Sequence, residues 1–196
     1  MNAVRRVTGR ALPLDRANVD TDQIIPAHWL KRVERNGYAA GLFEAWRRDP
    51  AFVLNDARYA GARVLIAGAN FGSGSSREHA VWALVEAGFR AVIAPRLADI
   101  FRANCLKSGL VPVEIDAQAV AKLLRLVESD PRAEITVDVE RRTVEAPGVC
   151  VIFALDDHAR TRLLEGLDDI AVTLAHADEI MTYESTRATW LPSLRD

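Results

Sequence analysis

Residues 68–79 combine glycines with small polar and charged side chains, a composition suited to holding a negatively charged molecule. Glycines stand at positions 68, 72 and 74, and the polar members are Asn70, Ser73, Ser75, Ser76, Arg77, Glu78 and His79. A short apolar run, Val64 to Ala67, precedes them, and apolar residues at helical spacing follow from Ala80. The pattern predicts a strand, a glycine-rich loop and a helix whose free N-terminal amides attract anions.

Two interpretations of the start of this helix stay open on pattern alone. Ser75 and Glu78 have the spacing of a capping box, in which Ser75 caps the helix and Glu78 reaches back. In the second interpretation the helix start binds an anion. Arg77 would lie in the first turn, where its positive charge interacts unfavourably with the helix dipole, and a bound anion would outweigh this unfavourable interaction. A Walker loop, a dinucleotide fingerprint and a serine-hydrolase elbow all require residues that this segment lacks.

The run from Asn70 to Ala80, N-F-G-S-G-S-S-R-E-H-A, resembles the signature of the swivelling domain of the aconitase superfamily. The run from Asn18 to Pro26 resembles the N-terminal segment of the same domain. The chain length and the region around Tyr183 are most similar to the separate small subunits of bacterial dehydratases in leucine biosynthesis. The resemblance covers essentially the whole chain and implies one domain, residues 1–196, with C-terminal helices.

Strands and helices alternate in the middle of the chain, which predicts an α/β fold with parallel strands and right-handed crossovers. The predicted strands are Val4 to Ala11, Val64 to Ala67, Ala91 to Ala94, Leu110 to Ile115 and an antiparallel meander from Glu134 to Leu155; the predicted helices are Tyr38 to Arg48, the signature helix, Leu97 to Ser108, Ala117 to Glu128, Asp156 to Leu164 and Ile170 to Arg187. We therefore expect a three-layer β/β/α swivelling domain of the aconitase type, with a mainly parallel central sheet and a smaller antiparallel layer.

The resemblance implies that the chain takes part in the interconversion of 2-isopropylmalate and 3-isopropylmalate by dehydration and rehydration. Ser75 would be the base, acting as an alkoxide that Arg77 and the loop amides stabilise, and Arg77 would also hold a substrate carboxylate. Ser76 and Gly74 would complete the cradle for the substrate. The expected supporting residues are Asp20, Thr21, Asp22, Asn70, Glu78 and His79. A local helix cap or turn is the alternative for Asp20 to Asp22, and a core or hydrogen-bonded histidine is the favoured role for His79.

Residues 27–37 mix bulky apolar and cationic side chains without a clear period, which predicts an exposed loop or an irregular helix. The resemblance implies that this loop, from Trp29 to Arg35, helps to select the substrate. Trp29 and Leu30 would form an apolar wall, while Lys31 or Arg32 would pair with a carboxylate, and the choice between the two cations stays open. Gly37 and Gly41 would let the loop close over the bound acid.

Removal of a hydroxyl requires a Lewis acid, and members of the superfamily use an iron of a [4Fe–4S] cluster. Such a cluster needs three cysteines even with one iron open, whereas this chain has two, Cys105 and Cys150, far apart. The spacing of the four histidines matches no usual metal-ligand pair. We expect no cofactor or metal on this chain, a [4Fe–4S] cluster on a large partner subunit, and a small-molecule diacid as substrate.

Composition narrows the classes of partner. The net charge is −2 with both signs dispersed, which favours neither nucleic acid nor an anionic membrane. We find neither a signal peptide nor an apolar stretch of about 20 residues, so we expect a cytoplasmic protein. The alternatives left open are a sister dehydratase acting on 2-methylmalate or a homoaconitate-type acid, a non-catalytic module that binds small anions, and an acyl hydrolase that uses Ser75.

Overall fold

The computed structural model describes residues 1–32, 34, 36–188 and 190–191. In this part of the chain, seven strands form one mixed sheet in the order β4-β3-β2-β1-β5-β6-β7. The strands are β1 Arg6–Leu14, β2 Val64–Ala67, β3 Ala91–Ala94, β4 Val111–Glu114, β5 Glu134–Asp138, β6 Thr143–Ala146 and β7 Val149–Ile152. The helices are α1 Thr21–Ile24, α2 Glu44–Arg47, α3 Glu78–Glu86, α4 Asp99–Ser108, α5 Ala117–Ser129, α6 Asp157–Glu165, α7 Asp169–Leu174 and α8 Ala177–Thr186.

The parallel half of the sheet follows from the two apolar runs of the sequence. All residues of β2 and β3 are buried, as expected of strands that helices cover on both faces. β2 pairs in parallel with β1 and β3, and β3 pairs in parallel with β4. The loops that follow β2 and β3 therefore meet at one edge of the sheet, and the signature segment lies in the first of them.

Strand β1 joins the parallel and antiparallel halves. Its first residues pair antiparallel with β5, and its last four, Ala11 to Leu14, pair in parallel with β2. This second pairing extends β1 three residues beyond the predicted end at Ala11.

Helix α5 shows that the sheet curls. The apolar side of α5 is buried, and the helix contacts β1, β2 and β3 as well as β7. In a flat sheet β3 and β7 would lie about 24 Å apart, at the usual strand spacing of 4.7–4.9 Å. A helix about 10 Å wide reaches both only if the antiparallel strands fold back over it. The predicted fold class is thus confirmed, with the antiparallel layer continuous with the parallel sheet through β1.

The predicted single helix from Tyr38 to Arg48 is wrong. A 3₁₀ turn occupies Tyr38–Gly41, and α2 begins only at Glu44. Between them Phe43 has a left-handed backbone with φ of 50°, and its N–H donates to the Ile24 carbonyl oxygen at 2.8 Å. This long-range hydrogen bond and the burial of Phe43 outweigh the local helical spacing.

The C-terminal stretch contains two helices, α7 and α8, and every residue of both is at least partly exposed. The assignment of residues 1–196 to one domain stays a prediction, because 192–196 lie outside the described residues. No helix in the described part of the chain is long and apolar enough to cross a membrane.

Candidate active site

A cleft of about 230 Å³ opens at the sheet edge where the loops after β2 and β3 meet. Three segments form it: the start of α1, the glycine-rich loop before α3, and the first turn of α4. Its lining residues are Thr21, Gly72, Gly74, Ser75, Arg77, Ala98, Asp99, Ile100 and Phe101. The structure therefore brings the predicted catalytic pair, Ser75 and Arg77, into one concave site with Gly74 and Thr21.

The glycine-rich loop is held by backbone hydrogen bonds on both sides. The Gly72 and Ser73 amides donate to the Val19 carbonyl oxygen, at 2.7 and 3.2 Å. The Ala98 amide donates to the Phe71 carbonyl oxygen at 2.9 Å, which links the loop to the segment before α4. Gly72 must be glycine, because its φ is 78° and a Cβ there would lie 2.2 Å from Cγ of Phe101. Close packing thus fixes the floor of the cleft.

Of the two interpretations of this helix start, the capping box formed by Ser75 and Glu78 is not present in the described structure. Helix α3 begins at Glu78, and its N-cap is Arg77, with an extended backbone and no side-chain cap hydrogen bond. Arg77 accordingly lies before the first turn instead of within it. The first amides of α3 lack a capping side chain in the described structure, and they add positive potential beside the guanidinium.

Arg77 is oriented by a carboxylate that is distant in sequence. Its Nη1 donates to Asp22 Oδ1, and its side chain is only 14% exposed, although it lines the cleft. The pair uses one nitrogen of a guanidinium that carries five N–H groups, so donors remain for a second carboxylate. Asp22 therefore holds the Arg77 guanidinium at the edge of the cleft, and its part in catalysis stays a prediction.

The hydroxyl of Ser75 is available for chemistry. The residue is exposed, and no described residue forms a hydrogen bond with its Oγ. Its carbonyl oxygen, in contrast, accepts from Thr21 Oγ1 at 2.9 Å, and this bond fixes the backbone while leaving the side chain open to the cleft. Ser76 is exposed beside it. The Ser75 side chain therefore does not cap α3.

Asp20 caps a helix, which is the alternative role that the sequence allowed for it. Its carboxylate accepts from the Gln23 amide at 2.8 Å, while Gln23 Oε1 accepts from the Asp20 amide at 2.9 Å, a complete capping box for α1. Asn70, with φ of 60°, donates through Nδ2 to Asn18 Oδ1 at 2.9 Å. Asn70 therefore joins the N-terminal segment to the glycine-rich loop, whereas Asp20 caps α1, and neither residue lines the cleft.

His79 lies in an aromatic cluster, with its ring centroid 5.3 Å from that of Tyr38 and 4.7 Å from that of Trp82. Burial lowers the pKa of His79 below its ordinary value, and Arg77 lowers it further against the opposing effect of Glu78. The imidazole is therefore neutral near pH 7. Glu78 is exposed in the first turn of α3, where a negative charge suits the helix dipole.

The predicted specificity loop lies outside the lining of this cleft. Residues Ala27–Lys31 form a 3₁₀ turn, in which Leu30 is half-buried and Lys31 is exposed. The guanidinium carbon of Arg32 lies 5.3 Å from the centre of the Trp29 ring, whereas no ion pair in the described chain involves Lys31. Val33 and Arg35, which belong to the predicted loop, lie outside the described residues.

The donor set of the chain does not fit an iron–sulfur cluster. Cys105 is buried and Cys150 is exposed, and both are free thiols. Burial raises the pKa of Cys105 well above its ordinary value, so this thiol is inert. Among the described residues, no group of three or more His, Cys, Asp or Glu side chains could hold a metal ion.

Sequence reasoning missed three cleft residues at the start of α4: Asp99, Ile100 and Phe101. Ile100 is 53% exposed and so presents an apolar surface at the cleft. The signal that could have found them is topological, because loops that follow neighbouring parallel strands converge at the same sheet edge.

Comparison with known proteins extends the match beyond the signature. Residues 1–118 match the family model of the aconitase C-terminal domain, and residues 169–194 match that of the C-terminal domain of the 3-isopropylmalate dehydratase small subunit. A relative from Parafrankia sp., named 3-isopropylmalate dehydratase small subunit, is 57% identical over 193 residues, which cover 98% of this chain and 99% of the relative. A relative of the same name from Frankia alni is 58% identical over 193 residues, with the same coverage.

The chain belongs to the family of 3-isopropylmalate dehydratase small subunits. The expected family resemblance is therefore confirmed. A crystal structure of 3-isopropylmalate dehydratase from Methanocaldococcus jannaschii has a TM-score of 0.64 and 26% identity, and the match covers 91% of this chain and 99% of that one. The fold described above is thus shared with a solved member of the family.

Proposed function

We propose that this chain is the small subunit of a 3-isopropylmalate dehydratase, and that it supplies the base and a substrate-carboxylate anchor to a site shared with a large subunit. The reaction is a dehydration and rehydration that interconverts 2-isopropylmalate and 3-isopropylmalate. The observation that carries the assignment of residues is the convergence of Ser75 and Arg77 in one cleft, with Arg77 oriented by Asp22.

Arg77 binds a carboxylate of the diacid. The guanidinium is largely enclosed, which strengthens its electrostatic attraction for an anion, and the free amides at the start of α3 add to it. Asp22 holds the guanidinium in place before the substrate arrives, so little conformational entropy is lost on binding. Gly74 and Ser76 present backbone and hydroxyl groups beside it.

Ser75 Oγ takes the proton from the carbon next to a substrate carboxylate. This proton is weakly acidic, so the serine must act as an alkoxide, which the positive potential of Arg77 and the α3 amides stabilises. The carbon–hydrogen bond breaks, a double bond forms towards the neighbouring carbon, and the hydroxyl leaves from that neighbour. In the reverse direction, Ser75 returns the proton to the alkene.

Departure of the hydroxyl needs an electrophile, and the cysteines of this chain cannot hold a cluster. We place a [4Fe–4S] cluster on the large subunit. The chain therefore completes an active site only in the heteromeric complex. Two free cysteines and dispersed charge favour a cytoplasmic location.

The loop that begins at Trp29 approaches the other end of the substrate. Leu30 offers apolar contact for the isopropyl group, and Lys31 is the better candidate to bind the second carboxylate, because Arg32 lies against the Trp29 ring.

The test is co-purification with the large subunit under anaerobic conditions, followed by assay of a panel of 2-hydroxy diacids. We expect turnover of 2-isopropylmalate above 2-methylmalate and homoaconitate-type acids, with the iron–sulfur absorbance band in the large subunit. Turnover by the isolated small subunit would contradict the shared site, and a preference for another diacid would assign the chain to a sister dehydratase.

A further inference from the structure

Trp29 is packed into the body of the protein and does not stand as a free wall for a substrate. Its ring lies against Gly41, where an added Cβ would be only 2.5 Å from Trp29 Cε2. Its indole Nε1 donates to Glu44 Oε2 at 2.5 Å. The indole occupies the space that a side chain at position 41 would need, and this explains the glycine there. We therefore assign Gly41 a packing role instead of the hinge role expected from the sequence.

The turn that carries Trp29 needs such an anchor. Ala27–Lys31 is a five-residue 3₁₀ turn without a side-chain cap, and all its residues are at least partly exposed. Short 3₁₀ turns have poor hydrogen-bond geometry and are marginal without tertiary contacts. The placement of Leu30 and Lys31 therefore depends on where the indole is held.

Glu44 is itself tied to the cleft. It begins α2 directly after Phe43, whose amide donates to the carbonyl oxygen of Ile24 at 2.8 Å. Ile24 is the last residue of α1, and Asp22 of the same helix pairs with Arg77. A continuous path of contacts thus leads from the guanidinium in the cleft to the carboxylate that holds Trp29.

Two other side chains also contact Glu44, and a test must separate their effects from that of the indole. His28 Nε2 lies 3.0 Å from Glu44 Oε2, and Arg48 Nη2 lies 3.6 Å from Oε1. The hydrogen bond from Trp29 is the main cause that lowers the pKa of Glu44, so the carboxylate is charged near pH 7. Arg48 is mostly exposed, and ion pairs of this kind contribute little.

We infer that Glu44 is a positioning residue for the specificity loop: by holding the Trp29 indole against Gly41, it sets where Leu30 and Lys31 stand relative to Arg77. The inference rests on the proposed function, in which these loop residues contact the diacid. It assigns to Glu44 no contact with substrate.

The experiment compares five variants, each assembled with the large subunit. Glu44→Ala removes the acceptor, and Trp29→Phe keeps an aromatic ring but removes the donor. We expect each to raise KM for 2-isopropylmalate roughly tenfold with a smaller change in kcat, the pattern for lost ground-state binding. Because both remove the same bond, the double variant should be little worse than either one. Glu44→Gln retains an acceptor oxygen and should restore most of the affinity, and Arg48→Ala, the matched control, should behave as wild type.

A second measurement does not depend on activity. Limited trypsin digestion of the full-length chain, mapped by mass spectrometry, reports cleavage after Lys31 and Arg32. Glu44→Ala should accelerate cleavage there roughly fivefold, since loss of a charge-assisted hydrogen bond favours local opening. Arg48→Ala should not change it.

Unchanged KM and unchanged cleavage in Glu44→Ala would overturn the inference. So would equal effects of Glu44→Ala and Arg48→Ala, which would indicate a general charge effect, or faster cleavage without a change in KM, which would separate the anchor from substrate binding. An inactive wild-type complex would instead refute the proposed function, while the digestion would still test whether Glu44 holds the turn.

Discussion

A methyl group added at position 72 meets two obstacles that the structure allows us to separate. The φ of Gly72 is 78°, a backbone conformation that other residues adopt only with strain. The new Cβ would also lie 2.2 Å from Cγ and 2.6 Å from Cβ of Phe101. These atoms belong to the root of the side chain, and Phe101 is 2% exposed and packs edge-on against Phe71. Relief of the clash therefore requires α4 to move.

The expected loss of stability is the sum of the backbone strain and the steric clash. A left-handed backbone at a non-glycine residue costs about 1–2 kcal/mol. Overpacking in a buried site costs about 1–3 kcal/mol. We thus expect Gly72→Ala to destabilise the chain by about 2–5 kcal/mol in total.

Gly148 offers a matched control for the backbone term. It lies in the turn between β6 and β7 with φ of 73°, and a Cβ there would have no atom within 4 Å. Gly148→Ala should therefore cost only the conformational part, about 1–2 kcal/mol. The difference between the two variants isolates the contact with Phe101.

Urea unfolding of the full chain measures both variants, with kcat/KM of the assembled enzyme as a second readout. Because Phe101 belongs to the first turn of α4, its displacement also moves Asp99 and Ile100 in the cleft, and only Gly72→Ala should reduce activity. Equal destabilisation by the two substitutions would refute the steric argument. Normal activity of a destabilised Gly72→Ala enzyme would show that the cleft tolerates movement of α4.

Three further predictions concern single residues. Ser75→Ala should lower kcat of the assembled enzyme by about 10²–10⁴-fold with unchanged thermal unfolding, and near-normal turnover would exclude Ser75 as the base. Leu30→Ala should reduce kcat/KM for 2-isopropylmalate more than for 2-methylmalate, by roughly 1–3 kcal/mol of discrimination at most; equal losses would place the specificity determinant on the large subunit. Burial raises the pKa of Asp138, but the hydrogen bonds from the Arg141 amide and the Arg6 guanidinium together lower it below its ordinary value. The stability that Asp138 contributes is therefore present above its unfolded pKa of about 3.9 and is lost as the pH falls through the folded value, so Asp138→Asn should flatten the acid limb of unfolding free energy against pH. An unchanged acid limb would contradict this linkage.

The sequence alone determined the central βαβ units of this protein. Strands Val64–Ala67 and Ala91–Ala94 have the predicted bounds, and helix α4 ends where Gly109 adopts φ of 73°. These features depend on burial and on backbone preferences that a few neighbouring residues encode. The signature segment, a long and contiguous motif, likewise contains four of the residues that line the cleft: Gly72, Gly74, Ser75 and Arg77.

Only the tertiary structure decided how helix and loop ends are held. Ser75 and Glu78 have the spacing of a capping box, yet Arg77 pairs with Asp22, 55 residues away, and α3 begins at Glu78. The predicted helix at Tyr38 to Arg48 is interrupted at Phe43, whose amide donates a hydrogen bond to a carbonyl oxygen of α1. Local patterns rank the conformations of a segment by small energy differences, and one buried contact from a distant segment is enough to reverse that ranking.

The tertiary structure also decided how the specificity loop is held and which residues of α4 line the cleft. The sequence showed a bulky residue at Trp29 but not the direction of its ring, which Gly41 and Glu44 determine. Asp99 and Ile100 belong to the cleft only because β2 and β3 are neighbours in a parallel sheet. Residue types specify what chemistry a chain can perform, whereas the pairing of strands and the packing of distant side chains decide which of those residues meet.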